Sequence, residues 1–124
     1  DRVQIIKGWL DSKGALQEKV YDVAYSGGRQ PDPSSGKLPD VGNTIDYEAA
    51  TFANSIGAAQ LATVWQDPDF DPALRAVYYT RVIEIPTPRW PVYDARYFGF
   101  DLPEEVPKTN RDRAYTSPIW YTPQ

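Results

Sequence analysis

The fold of this chain is decided by residues 76–85, which read Ala-Val-Tyr-Tyr-Thr-Arg-Val-Ile-Glu-Ile. β-branched and aromatic residues dominate this stretch, and such side chains fit a pleated strand better than a helix. Val77 and Tyr79 share one face of such a strand, while Tyr78 and Val82 keep the opposite face apolar as well. A strand that is apolar on both faces is typical of the middle of a sheet. We therefore predict a central strand here.

The amino-terminal residues predict a β-hairpin. Residues 2–10 are rich in β-branched and aromatic side chains, and Gly8 weakens any helical alternative. Residues 11–14, Asp-Ser-Lys-Gly, are all turn formers. Residues 16–25 then alternate tyrosine and valine with acidic side chains. The two alternating runs and the turn between them predict two antiparallel strands.

Four further segments complete the strand and loop assignment. Residues 26–42 contain too few apolar side chains to order themselves, and we predict a long surface loop. Residues 43–57 fit a helical stripe and strand alternation almost equally, and we prefer a strand because the neighbouring segments are β. Residues 60–66 predict a strand with Trp65 on one face. Residues 114–122 predict a last strand, which Pro118 confines to an edge or a bulge.

Twelve prolines make long helices improbable, because proline interrupts helix interiors. Asp71 followed by proline predicts one helical turn over residues 72–75. Residues 86–91 contain three prolines and predict a stiff extended connection. Residues 93–98 predict a short helical turn that Gly99 ends. Together these segments predict an all-β chain, an antiparallel β-sandwich of about six or seven strands with long loops, forming a single domain over residues 1–124.

Composition excludes several classes of function. The 124 residues carry a net charge of −4 and show no basic patch, so nucleic acid is an improbable partner. The chain contains no His and no Cys, and it therefore lacks the usual general base, the usual zinc ligands and the thiol nucleophile. No apolar run reaches the roughly 20 residues that cross a bilayer, and no signal peptide is evident. We expect a soluble chain that is not itself an enzyme.

The only candidate metal ligands are three carboxylates that alternate with other residues. Asp67, Asp69 and Asp71 lie in the sequence Asp-Pro-Asp-Phe-Asp-Pro, and hard cations such as Ca²⁺ take clustered oxygen ligands. An EF-hand loop starting at Asp67 requires Gly at its sixth position and Glu at its twelfth, where this chain has Pro72 and Tyr78. A capped turn satisfies the same residues without an ion, and we favour it over a metal site.

The best candidates for ligand or partner contact are Arg89, Trp90 and Tyr93. A planar bidentate donor stands here beside two large amphipathic rings, a combination that often furnishes carbohydrate and carboxylate sites. The alternative is that the rings pack a connector onto the rest of the fold, and this alternative is the more common outcome.

Three runs of sequence resemble a known family. Residues 57–72 contain Gly-Ala-Ala-Gln-Leu and then Val-Trp-Gln-Asp-Pro-Asp-Phe-Asp-Pro, and residues 76–90 run from Ala-Val-Tyr-Tyr to Thr-Pro-Arg-Trp. Residues 114–123 read Ala-Tyr-Thr-Ser-Pro-Ile-Trp-Tyr-Thr-Pro. These runs resemble the carboxyl-terminal region of the domain-of-unknown-function 3604 family of bacteria. The resemblance extends over nearly the whole chain from Arg2 onward.

The resemblance implies a division of labour. Members of this family look like metal-dependent hydrolases related to the PHP (polymerase and histidinol phosphatase) superfamily, and their His and acidic metal ligands lie in an upstream α/β region. None of those ligands transfers to this chain, so the resemblance implies no cofactor here and a divalent metal in the parent catalytic domain. The start at Asp1 rather than Met fits a carboxyl-terminal fragment of such a parent.

We therefore expect a non-catalytic β-sandwich accessory domain of a PHP-like metallohydrolase, packing on or shaping the catalytic domain. The expected partner is the upstream catalytic domain of the same chain, with Arg89, Trp90 and Tyr93 as the contact. Two alternatives stay open: an autonomous ligand- or carbohydrate-binding module, and a purely structural or oligomerisation domain.

Overall fold

A computed structural model describes residues 1–124, and the chain divides into two compact units. The sheet unit comprises residues 2–25, 60–83 and 113–124. The helix unit comprises Asp1 with residues 26–59 and 84–112.

Nine strands and one helix make up the secondary structure. In chain order they are β1 Arg2–Leu10, β2 Leu16–Tyr25, β3 Ile45–Asp46, β4 Thr51–Phe52, β5 Ala76–Ile83, β6 Thr87–Pro88, α1 Trp90–Phe98, β7 Thr109–Asn110, β8 Arg113–Tyr115 and β9 Ile119–Tyr121. All strand pairs are antiparallel. The predicted all-β class is confirmed. The sequence predicts about six or seven strands and the structure has nine, four of which have only two residues. The single helix has nine residues, too few to span a bilayer, which takes about 20.

The sheet unit is built on the predicted hairpin and the predicted central strand. β1 pairs with β2 along its whole length, and the turn between them closes with the amide of Gly14 donating to the carbonyl of Asp11 at 2.9 Å. β5 lies between β1 on one side and β8 and β9 on the other. The predicted central position of this strand in its sheet is therefore confirmed. The predicted last strand is interrupted around Pro118, and its two halves pair separately with β5.

One prediction in this unit is wrong. Residues 60–66 form no strand, although the sequence favoured one. The segment lies against one face of the sheet instead, with the Trp65 ring 5.0 Å from the ring of Tyr21. The ring of Phe70 stands 4.9 Å from that of Tyr121 in an edge-to-face arrangement. Trp65 therefore packs on a side chain of β2 and takes no part in strand pairing, whereas Val64 of the same segment is fully exposed.

The helix unit contains the ambiguous residues 43–57, which form two short strands rather than a helix. β3 and β4 pair through Ile45 and Phe52, and the carboxylate of Asp46 accepts the amides of Glu48 and Ala49 in the turn between them. The predicted loop 26–42 contains no strand or helix.

Residues 86–91 do not form the stiff extended connection that their prolines predict. Instead, β6 pairs with β7, and α1 already begins at Trp90. Proline suits the first turn of a helix because its missing N–H needs no partner there, which explains how Pro91 joins the helix. Gly99 ends α1 in the left-handed conformation at φ 71°, as the sequence predicted. The predicted helical turn over residues 93–98 is thus the last part of a longer helix that begins three residues earlier.

Few side chains are fully buried. Ile6 is the most enclosed residue of the sheet unit, and the buried apolar side chains of the helix unit are Leu38, Val41, Ala50, Ile85 and Val92. The helix unit also buries a charge. The carboxylate of Asp1 is wholly enclosed and pairs with the guanidinium groups of Arg29 at 2.7 Å and Arg111 at 3.6 Å.

Candidate functional site

Arg89, Trp90 and Tyr93 lie together on the surface of the helix unit. They line one depression of about 680 Å³, which Glu84 and Asp112 also border. Phe52 and Asn110 complete the polar and aromatic rim. The sequence named the three central residues, but the structure adds acids from either side of the β6–β7 pair. Three separate stretches of chain therefore contribute to the depression.

Local structure fixes the geometry of this depression. The amide of Arg89 donates to the carbonyl of Lys108 at 2.8 Å, which ties the start of α1 to the residue that precedes β7. Trp90 and Tyr93 are three residues apart in α1 and so lie on neighbouring positions of one helix face. The amide group of Asn110 donates to the carboxylate of Asp112 at 2.6 Å. The rim thus presents hydrogen-bond donors and acceptors beside two exposed rings.

The aromatic surface continues along α1 beyond the residues that the sequence named. Tyr97 and Phe98 are 83% and 70% exposed, and their rings meet edge to face at 4.9 Å. Trp90 is 67% exposed. The positions of Trp90, Tyr93 and Tyr97 follow the helical repeat, and this spacing is the signal that sequence reasoning missed because it began the helix too late. We call these four aromatic residues the α1 aromatic face.

The three carboxylates considered as metal ligands each serve a different purpose. The carboxylate of Asp67 forms an ion pair with the ammonium group of Lys7 at 2.6 Å and accepts a hydrogen bond from the hydroxyl of Tyr78 at 2.7 Å. Asp69 pairs with Lys19, and Asp71 accepts the amide of Ala73 at 2.8 Å in a turn. No group of three acidic side chains suited to a metal ion is present.

The Lys7–Asp67 pair is nearly enclosed and belongs to a larger network on the covered face of the sheet. The two side chains are 5% and 7% exposed, and Lys7 also donates to the carbonyl of Asp69 at 2.7 Å. The ammonium group lies 5.0 Å from the ring centre of Trp9. Tyr21 donates to the carboxylate of Asp69 at 2.7 Å. Together these contacts hold residues 67–69 onto the sheet.

Protonation equilibria follow from these contacts. Burial alone would raise the pKa of Asp67, but the hydrogen bonds from Lys7 and Tyr78 outweigh it and lower that pKa below its usual value. The hydrogen bonds from Lys19 and Tyr21 lower the pKa of Asp69. Burial and the neighbouring carboxylate raise the pKa of Tyr78 well above its usual value. Both acids are therefore ionised at neutral pH, and Tyr78 stays a hydrogen-bond donor.

Comparison with known proteins identifies a family for this chain but no individual relative. No curated protein and no solved structure matches the chain. The sequence model of the family described as "Protein of unknown function (DUF3604)" matches residues 1–123. This match covers both the sheet unit and the helix unit, and so the chain belongs to the DUF3604 family.

Proposed function

We propose that this chain is a non-catalytic accessory domain that packs on, and shapes, the catalytic domain of a PHP-like metal-dependent hydrolase. The observation that carries the proposal is the α1 aromatic face. Four large rings exposed along nine residues of helix are unusual on a surface that meets only water, and such patches mark interaction sites.

The composition of the surface favours a protein partner. Tryptophan, tyrosine and arginine are the residues that most often dominate binding energy at protein interfaces. Trp90 and Tyr97 supply the rings, and Arg89 supplies a guanidinium group at the start of the helix. Val92 and Pro91 are buried, so α1 is attached to its own unit by the opposite side. Because the sequence has no His and no Cys, bond-breaking groups of the usual kinds must come from the partner.

The test compares two tryptophans of similar exposure, Trp90 and Trp120, in the parent protein that contains this segment. Trp90→Ala combined with Tyr97→Ala removes two rings of the α1 aromatic face, and Trp120→Ala removes a ring that is 74% exposed in the sheet unit. We expect amide hydrogen exchange on α1 to be slower in the parent than in the 124-residue chain, by about tenfold or more if docking contributes 1.4 kcal/mol.

The double variant should remove this protection and lower hydrolytic activity of the parent, while Trp120→Ala should change neither. Equal exchange rates on α1 in the parent and in the isolated chain would refute the proposal. So would a parent whose activity and unfolding are indifferent to the double variant.

A second candidate function is ligand binding in the depression beside Trp90. The observation that favours it is the convergence of Glu84, Arg89 and Asp112 around exposed rings. Aromatic faces stack on the apolar faces of sugar rings, and carboxylates accept hydrogen bonds from their hydroxyl groups. Titration of the 124-residue chain with a panel of neutral oligosaccharides, followed by tryptophan fluorescence, tests this function. A saturable signal that Trp90→Ala abolishes supports it, and no signal at millimolar sugar contradicts it.

A further inference from the structure

A second cavity lies on a different side of α1. Its volume is about 490 Å³, within the range of small-molecule sites. Val92, Ala95 and Arg96 of α1 line it, and their spacing places them on one helix face away from Trp90 and Tyr97. The cavity therefore lies on the other side of the helix from Trp90, and Arg96 is the residue that borders both the cavity and the surface beside Tyr93 and Tyr97.

Four charged side chains from three stretches of chain border this cavity. Glu48 follows β3, Arg96 belongs to α1, Asp101 follows the helix, and Lys108 precedes β7. None of these four side chains makes an ion pair or a hydrogen bond. By contrast, Arg111 of the same unit pairs with an acid. Two cations and two anions thus face one space without neutralising each other.

The walls between these charges are held in place. The hydroxyl of Tyr47 lies 2.6 Å from that of Thr109 and accepts the amide group of Asn43 at 3.1 Å. Val92, only 3% exposed, forms an apolar wall. At the end of α1 the amide of Phe100 donates to the carbonyl of Ala95 at 3.2 Å, which fixes the backbone beside the cavity. A site that is formed before binding loses less entropy when a ligand enters.

We propose that this cavity binds a small zwitterion, an amino acid with an apolar or aromatic side chain. Arg96 and Lys108 attract the carboxylate, and Glu48 and Asp101 attract the ammonium group. A simple anion meets repulsion from the two acids, and a simple cation meets repulsion from the two bases, so only a ligand with both charges satisfies the site. The rings of Tyr47 and Phe100 supply the surface for the ligand's side chain. This site is independent of the proposed docking function.

The experiment divides the ligand into its two halves. The 124-residue chain is titrated with L-phenylalanine, with 3-phenylpropionate, which lacks the ammonium group, and with phenethylamine, which lacks the carboxylate. Binding is followed by ¹⁵N-resolved NMR, which also shows that each variant is folded. We expect L-phenylalanine to bind about tenfold more tightly than either half, with shifts at residues around Phe100.

Charge-neutral variants give the second readout. Arg96→Gln should weaken L-phenylalanine and 3-phenylpropionate and should strengthen phenethylamine, because it removes one of the two cations that repel the ammonium group. Glu48→Gln should weaken L-phenylalanine and phenethylamine and should strengthen 3-phenylpropionate. Arg113→Gln, an exposed arginine of β8 in the sheet unit, is the matched control and should alter none of the three. Equal affinity for all three probes would overturn the proposal. So would shifts that map outside the cavity, or no shifts at the highest concentration of L-phenylalanine.

Discussion

Replacing Lys7 by methionine should destabilise the sheet unit severely. The change removes the ammonium group and keeps a side chain of similar length and volume. Asp67 then loses the cation that lies 2.6 Å from its carboxylate, and the carbonyl of Asp69 loses a donor at 2.7 Å. Because both side chains of the pair are nearly enclosed, water cannot replace the lost contacts.

The size of the loss in the free energy of unfolding depends on the hydrogen bonds that Asp67 retains in the variant. Removing one partner of a buried ion pair costs about 3–5 kcal/mol. Asp67 still accepts the hydroxyl of Tyr78 at 2.7 Å and the amide of Asp69 at 2.9 Å, which places the expected loss at the lower end. We expect Lys7→Met to lower the free energy of unfolding by about 3 kcal/mol, a large part of the roughly 5–15 kcal/mol typical of a domain.

The matched control is Lys19→Met. Lys19 pairs with Asp69, but the two side chains are 49% and 47% exposed. Exposed pairs contribute about 0–1 kcal/mol. Urea unfolding of both variants can be followed by fluorescence, since Trp9 lies beside the Lys7 ammonium group.

A double-mutant cycle keeps the test informative if one variant is poorly folded. Lys7→Met combined with Asp67→Asn should lose clearly less than the sum of the two single losses, because the double variant leaves no unpaired buried charge. Equal destabilisation by Lys7→Met and Lys19→Met would refute the reasoning, and so would strictly additive losses in the cycle.

Two further predictions concern pH and backbone conformation. The folded pKa values of Asp67 and Asp69 are lowered, so their pairing stabilises the fold fully above the ordinary carboxyl pKa of about 4 and is lost as the pH falls through the lowered values. The urea concentration at the unfolding midpoint, measured from pH 6 downward, should therefore decrease once the pH is below about 4. A midpoint that does not change below this pH would contradict the assignment. Gly99→Ala should lower the free energy of unfolding by about 1–2 kcal/mol, because the residue has φ 71°. Gly99→Asn should lose less, since asparagine tolerates this conformation, and equal melting temperatures for both variants and the parent would argue against this explanation.

Local sequence patterns were sufficient for the elements with strong periodicity. The hairpin β1–β2 and the central position of β5 follow from β-branched side chains on both faces and from turn formers between the strands. Gly99 as the end of a helix follows from the conformational freedom of glycine. The sequence also singled out Arg89, Trp90 and Tyr93 as candidates, because an arginine next to two large aromatic rings is a combination that depends only on neighbours in sequence.

The errors and omissions arose where partners are distant in sequence. Residues 60–66 have strand-like composition, yet they pack across the sheet because Trp65 and Asp67 find partners in β1, β2 and β5. The two-residue strands β6 and β7 exist only because they meet each other, and proline content alone concealed them.

The sequence by itself determined the all-β class, the absence of imidazole and thiol, and the choice of Trp90 and Tyr93, two of the four residues of the α1 aromatic face, as candidates. Those properties depend on composition and on neighbours within a few positions. Only the tertiary structure decided that Asp67 neutralises Lys7 from 60 positions away. It also brought Glu48, Asp101 and Lys108 to one cavity around α1, because electrostatic and packing energies depend on distances in space that a linear pattern does not contain.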